Sequence, residues 1–136
     1  MTVSYHAAAE LALRAWCTGA LTGDWQVLCA MLAEDATVQL PLAPPHNGPR
    51  IGAIEIRALF DVVAHTIKVR LDQHPIGVLA HDGGQRFACE LLGTGTVAGH
   101  LAHVSICLWF TFDDHGAVSA IREYIGDAPP VYKENI

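Results

Sequence analysis

Between His100 and Phe112 the chain alternates without a break: Ala102, Val104, Ile106, Leu108, Phe110 and Phe112 share one parity, and Leu101, His103, Ser105, Cys107, Trp109 and Thr111 the other. Successive side chains of a strand point to opposite faces, so this run predicts a long strand with one wholly apolar face that other elements must cover. The compact turn Asp113, Asp114, His115, Gly116 follows, and Val118 to Ile125 reads as the returning strand. A regular hairpin pairs Phe112 with Ala117, Leu108 with Ile121 and Ile106 with Glu123, which puts Glu123 on the apolar face. A slip of one residue would instead turn Glu123 outward and bring Arg122 and Tyr124 in.

A carboxyl group among Ile106, Leu108, Ile121 and Ile125 loses hydration, which raises its pKa and suits it to exchange protons near neutral pH. Glu123 is therefore a candidate general acid or base. The structural alternative is a glutamate that pairs with an arginine or caps a backbone group at the sheet end.

Upstream of the strands the apolar period changes from two to that of helices. From about Ser4 to Ala20, positions Ala8, Leu11, Ala12, Ala15 and Trp16 recur at helical spacing, with Leu13 widening the stripe. Asp24 can cap a shorter helix carrying Trp25, Leu28, Cys29 and Leu32. A short strand over Ala36 to Leu40 leads into PLAPPHNGPRIG, whose four prolines and two glycines predict a loop. A third helix over Ala53 to Ile67 buries Ile56, Leu59, Phe60, Val63 and Ile67. Strands are predicted at Val69 to Ala80, broken near Pro75, and at Arg86 to Gly93, with GTGTVAG as a flexible hairpin connection. Helices come first and strands follow, with no βαβ alternation or internal repeat. The fold class is α+β, with helices on one face of a curved antiparallel sheet.

The 136 residues suit a single domain, 1–136. Only 16% of residues are charged against an apolar fraction of 51%, so few ionic side chains remain to cover the outside. The outer parity of the last two strands is also mixed, with Trp109, Cys107, Val118, Ala120 and Tyr124 beside His103, Ser105 and Arg122. Together these features predict a homodimer through the outer sheet face. A net charge of −6 with eight Lys and Arg leaves no basic stripe for nucleic acid or anionic lipid. No apolar stretch approaches the roughly 20 residues of a membrane span, and MTVSYHAAAE lacks the pattern of a secretory leader. The four cysteines, Cys17, Cys29, Cys89 and Cys107, form no CxxC pair and fit small core residues of a reducing, cytoplasmic compartment.

Three segments in this order, ALTGDWQVLCAMLAEDATVQL, PLAPPHNGPRIGAIEIRALF and FTFDDHGAVSAIREYIG, resemble the nuclear transport factor 2-like superfamily of ketosteroid isomerases, SnoaL-like polyketide cyclases and limonene-1,2-epoxide hydrolases. The resemblance spans almost the whole chain. It implies a cone-shaped α+β barrel of three N-terminal-half helices on a strongly curved antiparallel sheet, enclosing an apolar pocket. It also implies acid–base chemistry at Glu123, which matches the acid on the last strand of the cyclases and hydrolases. Other family positions depart from the pattern. The isomerase base falls at Leu40, its helix-borne tyrosine at Trp16 and its second acid near Leu108. The hydrolase Arg and Asp on the third strand fall at Glu90 and Leu92. Glu90 becomes a second catalytic candidate if it points inward, and the alternative is an exposed residue near the mouth or a partner for Arg86.

The expected ligand-binding wall is Trp16, Leu40, Phe60, Val104, Ile106, Leu108, Ile121 and Ile125, with no metal and no cofactor. His100 and His103 in HLAH lie three apart on a strand and so face opposite sides, which disfavours a zinc site. His65 and His74 are accessory candidates for the pocket, and Trp16, Trp25 and Phe60 are core or pocket wall. Three readings stay open: a cyclase, isomerase or hydrolase acting on an apolar oxygenated substrate, a non-catalytic binding protein for a small lipophilic ligand, and an assembly domain with a filled core.

Overall fold

The computed structural model describes residues 5–40, 50–71, 78–81 and 85–127. Helix α1 runs over Tyr5–Thr22, α2 over Gln26–Ala30 and α3 over Ala53–Thr66. The strands are β1 Leu32–Gln39, β2 Arg50–Ile51, β3 Ile67–Leu71, β4 Val78–His81, β5 Arg86–Val97, β6 His100–Phe112 and β7 Val118–Asp127. They form one sheet in the order β2-β1-β7-β6-β5-β3, with β4 also paired to β5.

The helices form where the apolar stripe predicted them. Of the predicted α1 stripe Ala12, Ala15 and Trp16 are buried while Leu11 is exposed, and of the α3 stripe Ile56, Leu59, Phe60 and Val63 are buried while Ile67 is the first residue of β3. Gly23, at φ 81°, ends α1 by donating its N–H to the Gly19 carbonyl, a left-handed cap that glycine adopts without a Cβ penalty. At the start of α3 the Glu55 carboxylate accepts the Ile51 N–H at 3.0 Å, placing a negative charge at the positive end of the helix. Asp24 does not occupy the cap position of α2 itself: Trp25 does, and Asp24 Oδ1 accepts the Gln26 N–H at 3.1 Å.

The sheet corrects several expectations. It is mixed, because β1 lies parallel to β7 while every other pairing is antiparallel. Arg50 and Ile51, expected within a loop, form β2 against β1. Pro41 to Pro49, His74 and Pro75 lie outside the described residues. The GTGTVAG segment is mostly strand: Gly93 to Val97 pair with both β3 and β6, and only Ala98 and Gly99 turn, both at positive φ. The glycines there serve proximity. A Cβ on Gly95 would overlap the Lys68 carbonyl of β3, so glycine lets the two backbones approach closely.

The β6–β7 hairpin keeps the predicted face by an unpredicted route. Phe112 pairs with Val118, a bulge separates Phe112 from Thr111, and beyond it Phe110 pairs with Ile121, Leu108 with Glu123 and Ile106 with Ile125. The offset from the regular hairpin is thus two residues, and an even shift preserves side-chain parity. In the turn, Asp113 Oδ1 accepts the N–H groups of His115 and Ala117, each at 2.9 Å. Gly116 adopts φ 82°. The core lies between the helices and the inner face of the sheet, around Trp16, Phe60, Leu91, Leu108 and Phe110. Trp25 stacks on Phe60 at 4.6 Å and meets Trp16 edge-on at 5.2 Å.

Candidate active site

The cavity begins where this aromatic cluster stops filling the cone. Its volume is about 50 Å³. Trp16 and Ala20 reach it from α1, Phe60 and Val63 from α3, and Leu40 from the end of β1. Ile67, Val69 and Leu71 of β3, Val97 of β5, Val104 and Ile106 of β6, and Glu123 and Ile125 of β7 complete the wall. Every side chain in this lining except Glu123 is aliphatic or aromatic.

Glu123 is only 9% exposed. Among the described residues no hydrogen bond or ion pair reaches its carboxyl, so neither the arginine partner nor the backbone cap considered above is present there. Burial alone pushes the pKa from the ordinary 4.5 up to about 7, because the apolar wall disfavours the charged form. Near neutral pH such a group is divided between acid and carboxylate, the condition for giving or taking a proton at little cost. The cavity has room for a few water molecules or the end of a small ligand.

Six of the eight expected wall residues converge here: Trp16, Leu40, Phe60, Val104, Ile106 and Ile125. Leu108 and Ile121 do not. Both are buried in the packed part of the core, because the register sets Ile121 against Phe110 and carries the open space toward Val104 and Ile106. Sequence reasoning missed Ala20, Val63, Ile67, Val69, Leu71 and Val97. Periodicity held a signal for some of them: Ala20 and Val63 continue the stripes of Trp16 and Phe60, and Val69 and Leu71 share a parity on β3.

Glu90 is a correction. It is exposed and pairs with Cys107 on the outer face, while its neighbours Cys89 and Leu91 point inward, so it cannot share a proton with Glu123. His65 is likewise exposed on α3 and outside the cavity wall. His100 is exposed and His103 half-buried, and no cluster of metal-ligating side chains occurs among the described residues. No described helix is long and apolar enough to cross a membrane. A larger, open groove of about 470 Å³ lies on the outer face between Thr37, Arg86, Trp109 and Arg122, and no acid is among the described residues that line it.

No protein-family model and no curated protein sequence matches the chain. Solved structures do resemble it. An NTF2-like protein from Anabaena variabilis superposes with a TM-score of 0.79 at 21% identity, over 94% of this chain and 96% of that one. A Bacillus subtilis protein proposed to be an isomerase gives 0.77 at 20% identity, covering 97% and 94%. The epoxide hydrolase/cyclase-like enzyme SalBIII, which acts in pyran ring formation in polyether salinomycin, gives 0.67 at 20% identity, covering 90% of each chain. With three helices on a curved mixed sheet and near-complete overlap with these structures, the chain has the NTF2-like α+β fold.

Proposed function

We propose that this chain is an acid–base enzyme in which Glu123 moves a proton to or from a small apolar, oxygenated substrate, in chemistry of the isomerase, cyclase or hydrolase kind. The observation that carries this reading is a carboxyl group that, among the described residues, is buried without a cation in an otherwise apolar wall. As an acid it can protonate a carbonyl, ether or epoxide oxygen, and as a base it can take a proton from carbon or a hydroxyl. The likeness to SalBIII and to the Bacillus protein supports the same class of reaction. At about 50 Å³ the cavity is well below the roughly 300 Å³ at which sites for whole ligands begin, so it receives the reacting end of a substrate.

The test is a turnover screen with small epoxides, hydroxy-epoxides and β,γ-unsaturated ketones. Glu123→Gln should lower kcat about 10²- to 10⁴-fold, and the wild-type rate should titrate near pH 7, following the raised carboxyl. Undiminished turnover by the variant overturns the proposal. A second reading, a binding protein for a small lipophilic molecule, draws on the absence of any other polar side chain in the described wall. It predicts a ligand that raises Tm in both wild type and Glu123→Gln and that neither protein converts.

A further inference from the structure

Along the inner face of β5, Phe87, Cys89 and Leu91 are followed by two glycines, Gly93 and Gly95. Neither adopts a positive φ, so the backbone at both would admit alanine, and glycine is otherwise a poor strand residue. Space is the remaining constraint, and it differs between the two. At Gly95 a Cβ would meet the backbone of Lys68 and Val69, which cannot turn aside. At Gly93 it would stand 2.7 Å from Leu71 Cδ2, 2.7 Å from Val69 Cγ1 and 3.3 Å from Val104 Cγ2. These are the methyl ends of three residues that all line the cavity of Glu123, and Gly93 is buried beneath them.

We infer that Gly93 determines which substrates the cavity admits, by leaving room into which the side chains of Leu71, Val69 and Val104 draw back. This rests on the reading of Glu123 as the proton-transferring group. Gly93 pairs with Leu71 of β3 on one side and Val104 of β6 on the other, so these side chains close over the gap left by the missing Cβ. With alanine at 93 their methyl ends must turn away. Leu71 and Val69 are only 6% and 3% exposed, and a close-packed interior surrounds them on their other sides, so the open volume within reach is the cavity itself. Only about 50 Å³ is there to lose. The Gly93 and Val104 row lies two cross-strand rows from that of Leu108 and Glu123, beyond the row of Ile106 and Ile125. The glycine therefore acts on the substituent remote from the reacting atom and not on the proton. The substrate it selects is one whose apolar substituent is larger, by about a methyl group, than a wall built on alanine would admit.

Xenon reads the cavity without turnover, since it enters small apolar cavities. In methyl NMR spectra of the full chain, dissolved xenon should shift the Leu71, Val69 and Val104 signals of the wild type, and Gly93→Ala should weaken that binding about tenfold. Leu71→Ala alone should bind xenon more tightly than the wild type, and adding Gly93→Ala to it should take that gain back, a comparison that holds even where Gly93→Ala by itself does not fold. A wild type whose three residues do not respond, a folded Gly93→Ala that binds as the wild type does, or a Leu71→Ala protein unaffected by the second change would each overturn the inference. For a substrate found in the turnover screen, Gly93→Ala should lower kcat/KM for a homologue one methyl larger at the remote end about tenfold more than for the parent. Equal losses for the two would overturn the assignment of specificity. Full turnover by Glu123→Gln with the xenon results as expected would count against the acid–base reading alone, whereas failed xenon results with an inactive Glu123→Gln would count against Gly93 alone.

Discussion

Glu123 holds its proton because folding removes water from it, and the same fact makes it a stability sensor. Below about pH 4.5 the carboxyl is protonated both folded and unfolded, whereas between 4.5 and about 7 only the folded chain retains the proton. The native state binds more protons in that window, so its stability falls as pH rises through it. The contribution lost reaches about 3 kcal/mol above pH 7. Glu123→Gln carries no titrating group, so the stability difference between variant and wild type should swing by that amount between pH 4 and pH 8, in favour of the variant at high pH. Urea unfolding at a series of pH values measures it, and a difference flat with pH would show that the carboxyl is hydrated. Glu90 teaches the complementary lesson. One position of parity separates it from Cys89 and Leu91, and that alone sends a chemically equivalent group into solvent.

The β6–β7 hairpin decides where the acid lies. Its apolar alternation was legible, and so was the side of the sheet that Glu123 takes. The pairing partners were not, because the bulge between Thr111 and Phe112 arises from turn geometry that residue types do not reveal. The turn is held by Asp113, whose carboxylate accepts two backbone N–H groups. Asp113→Ala should leave both donors without that acceptor and cost about 1–3 kcal/mol, read as a fall in the urea midpoint without a change in m-value. The glycine-bearing end of β5 was misread for a related reason. Glycine weakens a strand by propensity, yet Gly95 is in the sheet because β3 runs too close for any larger residue.

Across the whole molecule, β6 lies between β5 and β7 and is hydrogen-bonded along both edges, while β2 is a two-residue edge strand. Native-state hydrogen exchange should therefore find the slowest amides in β6 around Ile106 to Phe110 and the fastest strand amides in β2. Equal protection in the two would contradict this sheet order. The amphipathic stripes of α1 and α3, the strand alternation of β6 and the parity of Glu123 were determined by the sequence itself, since each is a local periodicity that only one way of burying apolar surface satisfies. The parallel contact of β1 with β7, the exposure of Glu90 and the place where the core leaves a cavity were decided by tertiary structure. They depend on which distant segments meet and how completely their side chains fill the space between them, and no local pattern encodes that.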